Sequence, residues 1–346
     1  MKYIVSIAGA TGYTGMELIR ILKKHPYAEI GVLTSENYAG LPVKQVMPFF
    51  NIEKKLEKLD LKKLGEVSDV IFLCLPHTKS IEAVGKLLKY GKKLIDLSAD
   101  FRLKDKKAYE KYYKVKHSAP ALLKESVYGL PELHSEAIAN SNFVANPGCY
   151  STSIILACAP VVSAGIVKVE GIVVNSVSGV SGAGRKMKTE YHFSEQHANI
   201  KAYKLAEHQH TPEIEQELSL LKKGGRVTVS FTPHLGPYNR GILTTVAFDL
   251  KHKLTTEKAV ELYREYYKGK PFVKVLPAGI LPEVKNVAGG NYCEIGMKVN
   301  ERLKKLIVVS AEDNLMKGAS GQAVQNMNLM LGLPETTALL DLGMMP

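Results

Sequence analysis

The stretch YIVSIAGATGYTGMELIRILKK, residues 3–24, decides the fold. Its first six residues form a short apolar run with β-branched Ile4, Val5 and Ile7, the pattern of a buried strand. The run meets Gly9-Ala10-Thr11-Gly12-Tyr13-Thr14-Gly15, and from Met16 onward Leu18, Ile21 and Leu22 recur at helical spacing. Strand, glycine turn and helix therefore follow one another without a spacer. Three glycines at this spacing let the chain turn tightly, present backbone N–H groups to a pyrophosphate and start a helix close to the sheet. Gly9, Thr11, Gly12, Tyr13, Thr14 and Gly15 are accordingly candidate dinucleotide-binding residues.

Outward from this turn, strands are predicted at 30–34, 70–75 and 93–97, with a helix at 80–89. Strands alternating with helices imply parallel pairing and right-handed crossovers, the doubly wound α/β arrangement of the Rossmann type. The second strand ends at Thr34-Ser35-Glu36-Asn37, where an adenosine ribose is read. Ser35 leaves room for a 2′-phosphate, whereas Glu36 suits a free hydroxyl, so NADP and NAD both remain open.

The whole chain has 346 residues, with 46 Lys+Arg against 34 Asp+Glu, a net charge of +12. At 45 % hydrophobic and 23 % charged it is too apolar for a disordered chain, and its length suits two domains. Four cysteines are too few for a disulfide scaffold. The longest apolar runs are strand-sized and residue 3 enters a strand without a charged leader, so a cytosolic protein without a membrane span is expected. The lysine doublets at 54–55, 62–63, 92–93, 222–223 and 304–305 lack interleaved aromatics and read as solvated surface, against a nucleic-acid partner.

After about residue 146 the pattern changes to strands at 171–177, 226–231, 242–250, 292–299 and 306–310, several of them alternating as in an antiparallel sheet. Residues 313–332 are again helical in character. Asn146-Pro147-Gly148-Cys149-Tyr150-Ser151-Thr152 places a cysteine after a Pro-Gly turn, at the start of a predicted helix. Peptide dipoles there lower a thiol pKa and produce a nucleophile. Cys74, Cys158 and Cys293 lie in apolar runs and read as buried hydrophobes. His208 and His210 precede a helix that Pro212 can start, and either can serve as proton partner. No further ligands stand at metal spacing, so no metal is expected, and His25, His77 and His117 read as structural. The glycine-rich loop 178–185 ends in Arg185, and 231–241 carries Arg240; each guanidinium can grip a carboxylate or phosphate.

Taken together, GATGYTG (9–15), LSADFR (97–102), YGLPEL (128–133), NPGCYST (146–152), SGVSGAGR (178–185), HQHTPEI (208–214), TPHLGPYNRGIL (232–243) and DNLMKGASGQAVQNMN (313–328) resemble the N-acetyl-gamma-glutamyl-phosphate reductase family, arginine-biosynthesis relatives of aspartate-semialdehyde dehydrogenase. The resemblance implies a Rossmann domain of residues 1–147 with 313–346, whose last helix returns to it, and a mixed α+β catalytic and oligomerisation domain of residues 148–312. It implies NADPH-dependent reduction of an acyl phosphate to an aldehyde and phosphate through a Cys149 thioester, in a cytoplasmic homo-oligomer, a dimer or tetramer. By the same resemblance His208 is the first choice for acid/base and His210 the alternative. Ser35, Ser181, Gly182 and Asn314 join the cofactor-binding set, and Arg102, Asn146, Ser178, Arg185 and Arg240 form the substrate-binding set.

The chain departs from the family pattern at Glu36 and Asn37, where an arginine is usual, and at Ser151, where proline is usual. The close alternative is a lysine-pathway reductase of an aminoadipyl or glutamyl phosphate linked to an acidic carrier protein. Asn146-Pro147 and Pro212-Glu213 match the arginine-side family better. A non-catalytic dinucleotide sensor and a cofactor-free thiol hydrolase are the alternatives of other classes.

Overall fold

The computed structural model describes residues 2–222 and 225–344; Lys223 of the 222–223 doublet lies outside the described residues. The chain divides into two compact units, one built from residues up to Pro147 together with Ala319–Leu340, the other from Gly148–Gly318 with the segment from Asp341.

The first unit is a six-stranded sheet of β1 (Tyr3–Ala8), β2 (Ala28–Leu33), β3 (Val70–Leu73), β4 (Lys93–Asp96), β5 (Val127–Tyr128) and β6 (Phe143–Ala145). Its order is β2-β1-β3-β4-β6-β5, and every pair is parallel. β5 and β6 were not predicted, because two or three residues carry too little pattern to read. The chain leaves β1 to one side for β2 and returns past it to β3, so the order reverses at β1, whose carboxyl end carries the glycine turn. Ile71, Leu73, Val84, Leu87, Leu94 and Phe101 belong to one buried cluster of this unit.

Helix Gly321–Met330 closes this unit against helices Pro131–Ala139 and Tyr13–Leu22. It buries four amide side chains, Gln322, Gln325, Asn326 and Asn328. Asn326 donates to the Gly129 carbonyl at 2.9 Å and to Asn146 Oδ1 at 3.0 Å. Asn328 Oδ1 lies 2.9 Å from Nε2 of His25, whose Nδ1 accepts from the Tyr27 amide, so the proton sits on Nε2. The predicted helix 313–332 thus begins late. A turn at Asp313 and a π-helical turn over Met316–Ser320 precede it. The expected boundaries shift with it: residues 313–318 belong to the second unit, where Asp313 ties its own loop to Arg240 and Gly289, and so does the segment from Asp341, where the Met344 N–H donates to the Ala288 carbonyl.

The second unit is a seven-stranded sheet of β7 (Ile172–Ser178), β8 (Lys201–Ala202), β9 (Val229–Leu235), β10 (Ile242–Asp249), β11 (Val273–Val275), β12 (Cys293–Asn300) and β13 (Lys305–Glu312), in the order β11-β12-β13-β10-β7-β9-β8. The expectation of an antiparallel sheet holds for β7/β10, β10/β13, β12/β13 and β8/β9, but β7/β9 and β11/β12 are parallel. Long connections carrying helices, Thr211–Leu221 between β7 and β9 among them, make these crossovers possible.

One face of this sheet packs under helix Cys149–Ser163. There Ser176, Thr244 and Ser310 stand side by side across β7, β10 and β13. Ser153 of the helix reaches Thr244 Oγ1 at 2.9 Å and Ser310 Oγ at 2.8 Å, while Ser176 reaches Thr244 at 2.8 Å; all four are fully buried. On the other face Val173, Ala247 and Ile307 form a row beside Asn175, Thr245 and Val309, and Val173 remains 47 % exposed.

Candidate active site

In the first unit the turn after β1 is built as a phosphate cradle. Gly9 has φ +89°, and a Cβ there would lie 2.4 Å from the Cys74 carbonyl oxygen, so only glycine fits. Its N–H donates to Thr34 Oγ1 at 3.1 Å. A Cβ on Gly12 would meet only the Gly9 carbonyl at 3.7 Å, so the turn is open above it. Helix Tyr13–Leu22 starts there with no side-chain cap, which leaves its first-turn N–H groups available to an anion. This cradle fits the pyrophosphate of a dinucleotide. At the end of β2, buried Ser35 lies 2.8 Å from the Thr11 hydroxyl, whereas Glu36 and Asn37 are exposed.

Two expected substrate ligands in this unit are engaged with protein atoms. Arg102 is buried and donates through Nε to the Asn146 carbonyl at 2.7 Å and through Nη2 to the Leu97 carbonyl at 2.9 Å. Buried Asn146 donates to the Ala319 carbonyl at 3.1 Å. Both residues tie down the chain that leads into Pro147-Gly148-Cys149.

In the second unit Cys149 is the first residue of helix Cys149–Ser163, with Gly148 as its extended N-cap and no side-chain cap. The thiol is partly exposed, and the helix behind it is almost wholly buried. The Gly148 N–H donates to Oε1 of buried Glu213 at 2.8 Å. A Cβ on Gly148 would fall 2.4 Å from Nε2 of His210, so the His210 imidazole lies flat against the peptide that precedes the thiol.

His208 is placed differently. It is buried among Tyr150, Tyr203, Phe231 and His210, with ring centroids 4.7–5.7 Å away. Its Nδ1 accepts the His210 backbone N–H at 3.1 Å. Burial, with the neighbouring His210 and Lys204, pushes its pKa down to about 2, which keeps the ring neutral. Burial also raises the Tyr150 and Tyr203 phenols, whose hydroxyls are 3.2 Å apart. His210, the alternative on sequence grounds, is therefore the histidine set against the Cys149 turn.

The two glycine loops flagged in the sequence come together. Ser181 N donates to the Asn239 carbonyl, Val180 N to that of Tyr238 and Gly179 N to that of Gly241. Asn314 bridges them: its Oδ1 accepts from Gly241 N at 2.6 Å and its Nδ2 donates to Ser181 Oγ at 2.9 Å. Asn314 lies in the loop after β13, before the last helix rather than in it. Gly182 stands beside this amide and buried Ser178 beside Gly182. Arg240, expected on substrate, instead grips Asp313, Nε to Oδ2 at 2.8 Å and Nη2 to Oδ1 at 3.2 Å, because a buried carboxylate requires a countercharge. Arg185 is exposed at the end of its loop.

Glu213, Asp313 and Gly318 escaped the sequence reading. Glu213 had a signal, three residues after His210 where a helix begins; Asp313 and Gly318 act through contacts that no spacing announces. Among the described residues no group of three or more His, Cys, Asp or Glu is placed to hold a metal.

Two family models cover the chain: the semialdehyde dehydrogenase NAD binding domain over residues 4–141 and the semialdehyde dehydrogenase dimerisation domain over residues 149–314. The N-acetyl-gamma-glutamyl-phosphate reductases of Desulforamulus reducens and Symbiobacterium thermophilum are each 52 % identical to it, over 99 % of both chains. That of Geobacter sulfurreducens is 48 % identical over 99 % of both. The chain belongs to the N-acetyl-gamma-glutamyl-phosphate reductase family. As a member of that family it is an oxidoreductase of amino-acid biosynthesis that uses a nicotinamide dinucleotide. The family fold is shared with aspartate semialdehyde dehydrogenase II of Vibrio cholerae, TM-score 0.73 at 18 % identity over 96 % of this chain and 99 % of that one. It is shared likewise with the Candida albicans aspartate semialdehyde dehydrogenase with NADP, TM-score 0.70 at 15 % identity over the same shares.

Proposed function

We propose that the chain reduces N-acetyl-L-glutamyl 5-phosphate to N-acetyl-L-glutamate 5-semialdehyde and phosphate, in arginine biosynthesis, with Cys149 as nucleophile. The observation that carries the reading is the placement of Cys149 at the uncapped N-terminus of a buried helix with the His210 imidazole against the preceding peptide. Free N–H groups and aligned dipoles at such an end favour the thiolate, and His210 takes the thiol proton. The thiolate attacks the acyl carbon and phosphate leaves, giving a thioester; the same N–H groups can bind the oxyanion that forms. A bound nicotinamide dinucleotide supplies the hydride. Cys149 then departs as thiolate when the C–S bond breaks, and the aldehyde is released.

Within this reading His210 is the acid/base, and His208 holds the His210 backbone from its aromatic box. Arg185, exposed on a glycine-rich loop, is the candidate for the substrate carboxylate. Gly9, Thr11, Gly12, Tyr13, Thr14 and Gly15 would hold the pyrophosphate of the cofactor and Ser35 its ribose, with NADPH favoured by the Ser35–Thr11 hydroxyl pair and the outward Glu36. Asn314, Ser181 and Gly182 form the expected nicotinamide-side group. Arg102 and Asn146 support the chain before Cys149. A homo-oligomer formed through the partly exposed portion of this sheet face fits the apolar row of Val173, Ala247 and Ile307. Among the described residues no helix is long and apolar enough to cross a membrane.

The test is phosphate-dependent oxidation of free N-acetylglutamate semialdehyde, followed through NADPH formation. Cys149→Ser is expected to lower the rate by about 1,000-fold or more, since a hydroxyl is a far weaker nucleophile than a thiolate. Near-normal turnover by that variant would remove Cys149 from the mechanism. Turnover of a carrier-linked acyl phosphate alone would overturn the substrate assignment.

A further inference from the structure

Asp313 is fully buried, and nothing in the proposed chemistry uses it. Its carboxylate accepts from Arg240 Nε at 2.8 Å, Arg240 Nη2 at 3.2 Å, Gly289 N at 2.6 Å, Leu315 N at 2.8 Å and Met316 N at 3.1 Å. Its carbonyl accepts from Gly318 N at 3.0 Å. One residue thereby folds the whole 313–318 loop. The far end of that loop is pressed on the nucleophile: a Cβ on Gly318 would lie 2.9 Å from Cys149 Cβ and 3.0 Å from Glu312 Oε1.

We propose that Asp313 and Arg240 are positioning residues, a buried clamp that holds the 313–318 loop against Cys149 and so sets the direction in which the thiol points. This rests on Cys149 as the reactive thiol. Arg240 then acts as the countercharge of Asp313 and not as a receptor for a substrate anion. Its side chain is only 22 % exposed, and two of its donors already serve Asp313 in the bidentate geometry that suits a planar fork. A lysine could supply the charge but not the planar fork that aims separate nitrogens at the two oxygens. The neighbouring Asn314 extends the clamp, since its Oδ1 takes the N–H of Gly241, the residue after Arg240.

The test compares Asp313→Asn, Arg240→Gln, Arg240→Lys and the Asp313→Asn/Arg240→Gln double variant in two assays. One is Cys149 alkylation by iodoacetamide, without substrate or cofactor, as a function of pH; the other is the phosphate-dependent reaction. Each glutamine or asparagine single variant is expected to slow alkylation and lower kcat by about 10-fold or more, with KM for phosphate and semialdehyde within about threefold. The double variant should match the singles, because they break one unit, and Arg240→Lys should recover part of the loss. If Asp313→Asn fails to fold, the two Arg240 variants, on a partly exposed side chain, carry the comparison. A large rise in KM with unchanged alkylation would make Arg240 a substrate ligand and overturn the proposal. Alkylation answers even if the substrate assignment is wrong, so the two failures are distinguishable.

Discussion

At the residue scale the structure gives different surroundings to two histidines that the sequence spaces two apart. His210 lies on the Gly148 peptide, and His208 is enclosed by rings that hold it neutral. His210→Asn should therefore lower kcat by about 100-fold or more, the usual contribution of a positioned acid/base, and His208→Asn by clearly less; the reverse order in steady-state assays would exchange their roles. His208 also has a pH signature. Its native pKa is depressed to about 2 from 6.5, so below pH 6.5 the unfolded chain binds a proton that the folded chain refuses. The neutral ring's stability contribution is intact above pH 6.5 and is lost as pH falls below it. Replacing His208 by Asn should flatten the decline of Tm between pH 6.5 and 5, and a parallel decline in both proteins would refute this. Spacing and residue type were enough to find Cys149 and the histidine pair. Which ring touches which peptide depends on the turn at His210, and that is a tertiary matter.

At the scale of elements, helix Cys149–Ser163 carries a polar side chain at Ser153, one turn beyond Cys149, onto a row of hydroxyls in the sheet. Apolar packing alone would tolerate a slide of the helix along the strands, whereas these hydrogen bonds are met in one register only. Thr244→Val keeps the shape but leaves Ser153 and Ser176 each short of a buried partner, a cost of about 1–3 kcal/mol. A Tm lower by several degrees is expected from thermal unfolding, and an unchanged Tm would show that the row is dispensable. The helix itself was legible from its apolar run and the Pro-Gly turn before it. Its hydroxyl contacts were not, since Ser176, Thr244 and Ser310 come from three strands separated by 68 and 66 positions in the chain. The same limit explains the late start of the last helix: composition over 313–332 is helical, but Asp313 spends its hydrogen bonds on a turn.

At the scale of the whole molecule, the partly exposed row of Val173, Ala247 and Ile307 on the second sheet is where a second copy is expected. Ala247→Arg, central in the row between Val173 and Ile307, should shift the protein toward monomer in sedimentation velocity with its circular dichroism retained. An unaltered sedimentation coefficient would place the interface elsewhere. The +12 charge is carried largely by exposed lysines, while Arg102 and Arg240 are bound to protein atoms. By itself the sequence determined the strand-turn-helix that begins the first unit, the helix that starts at Cys149, and the family, because these lie in short contiguous segments whose residue types and spacing are their own physical cause. Only the tertiary structure decided the parallel pairs of the second sheet, the histidine against the Gly148 peptide, and the pairing of Arg240 with Asp313. Those depend on which distant segments burial brings into contact, and a buried charge takes the nearest opposite charge whatever their separation along the chain.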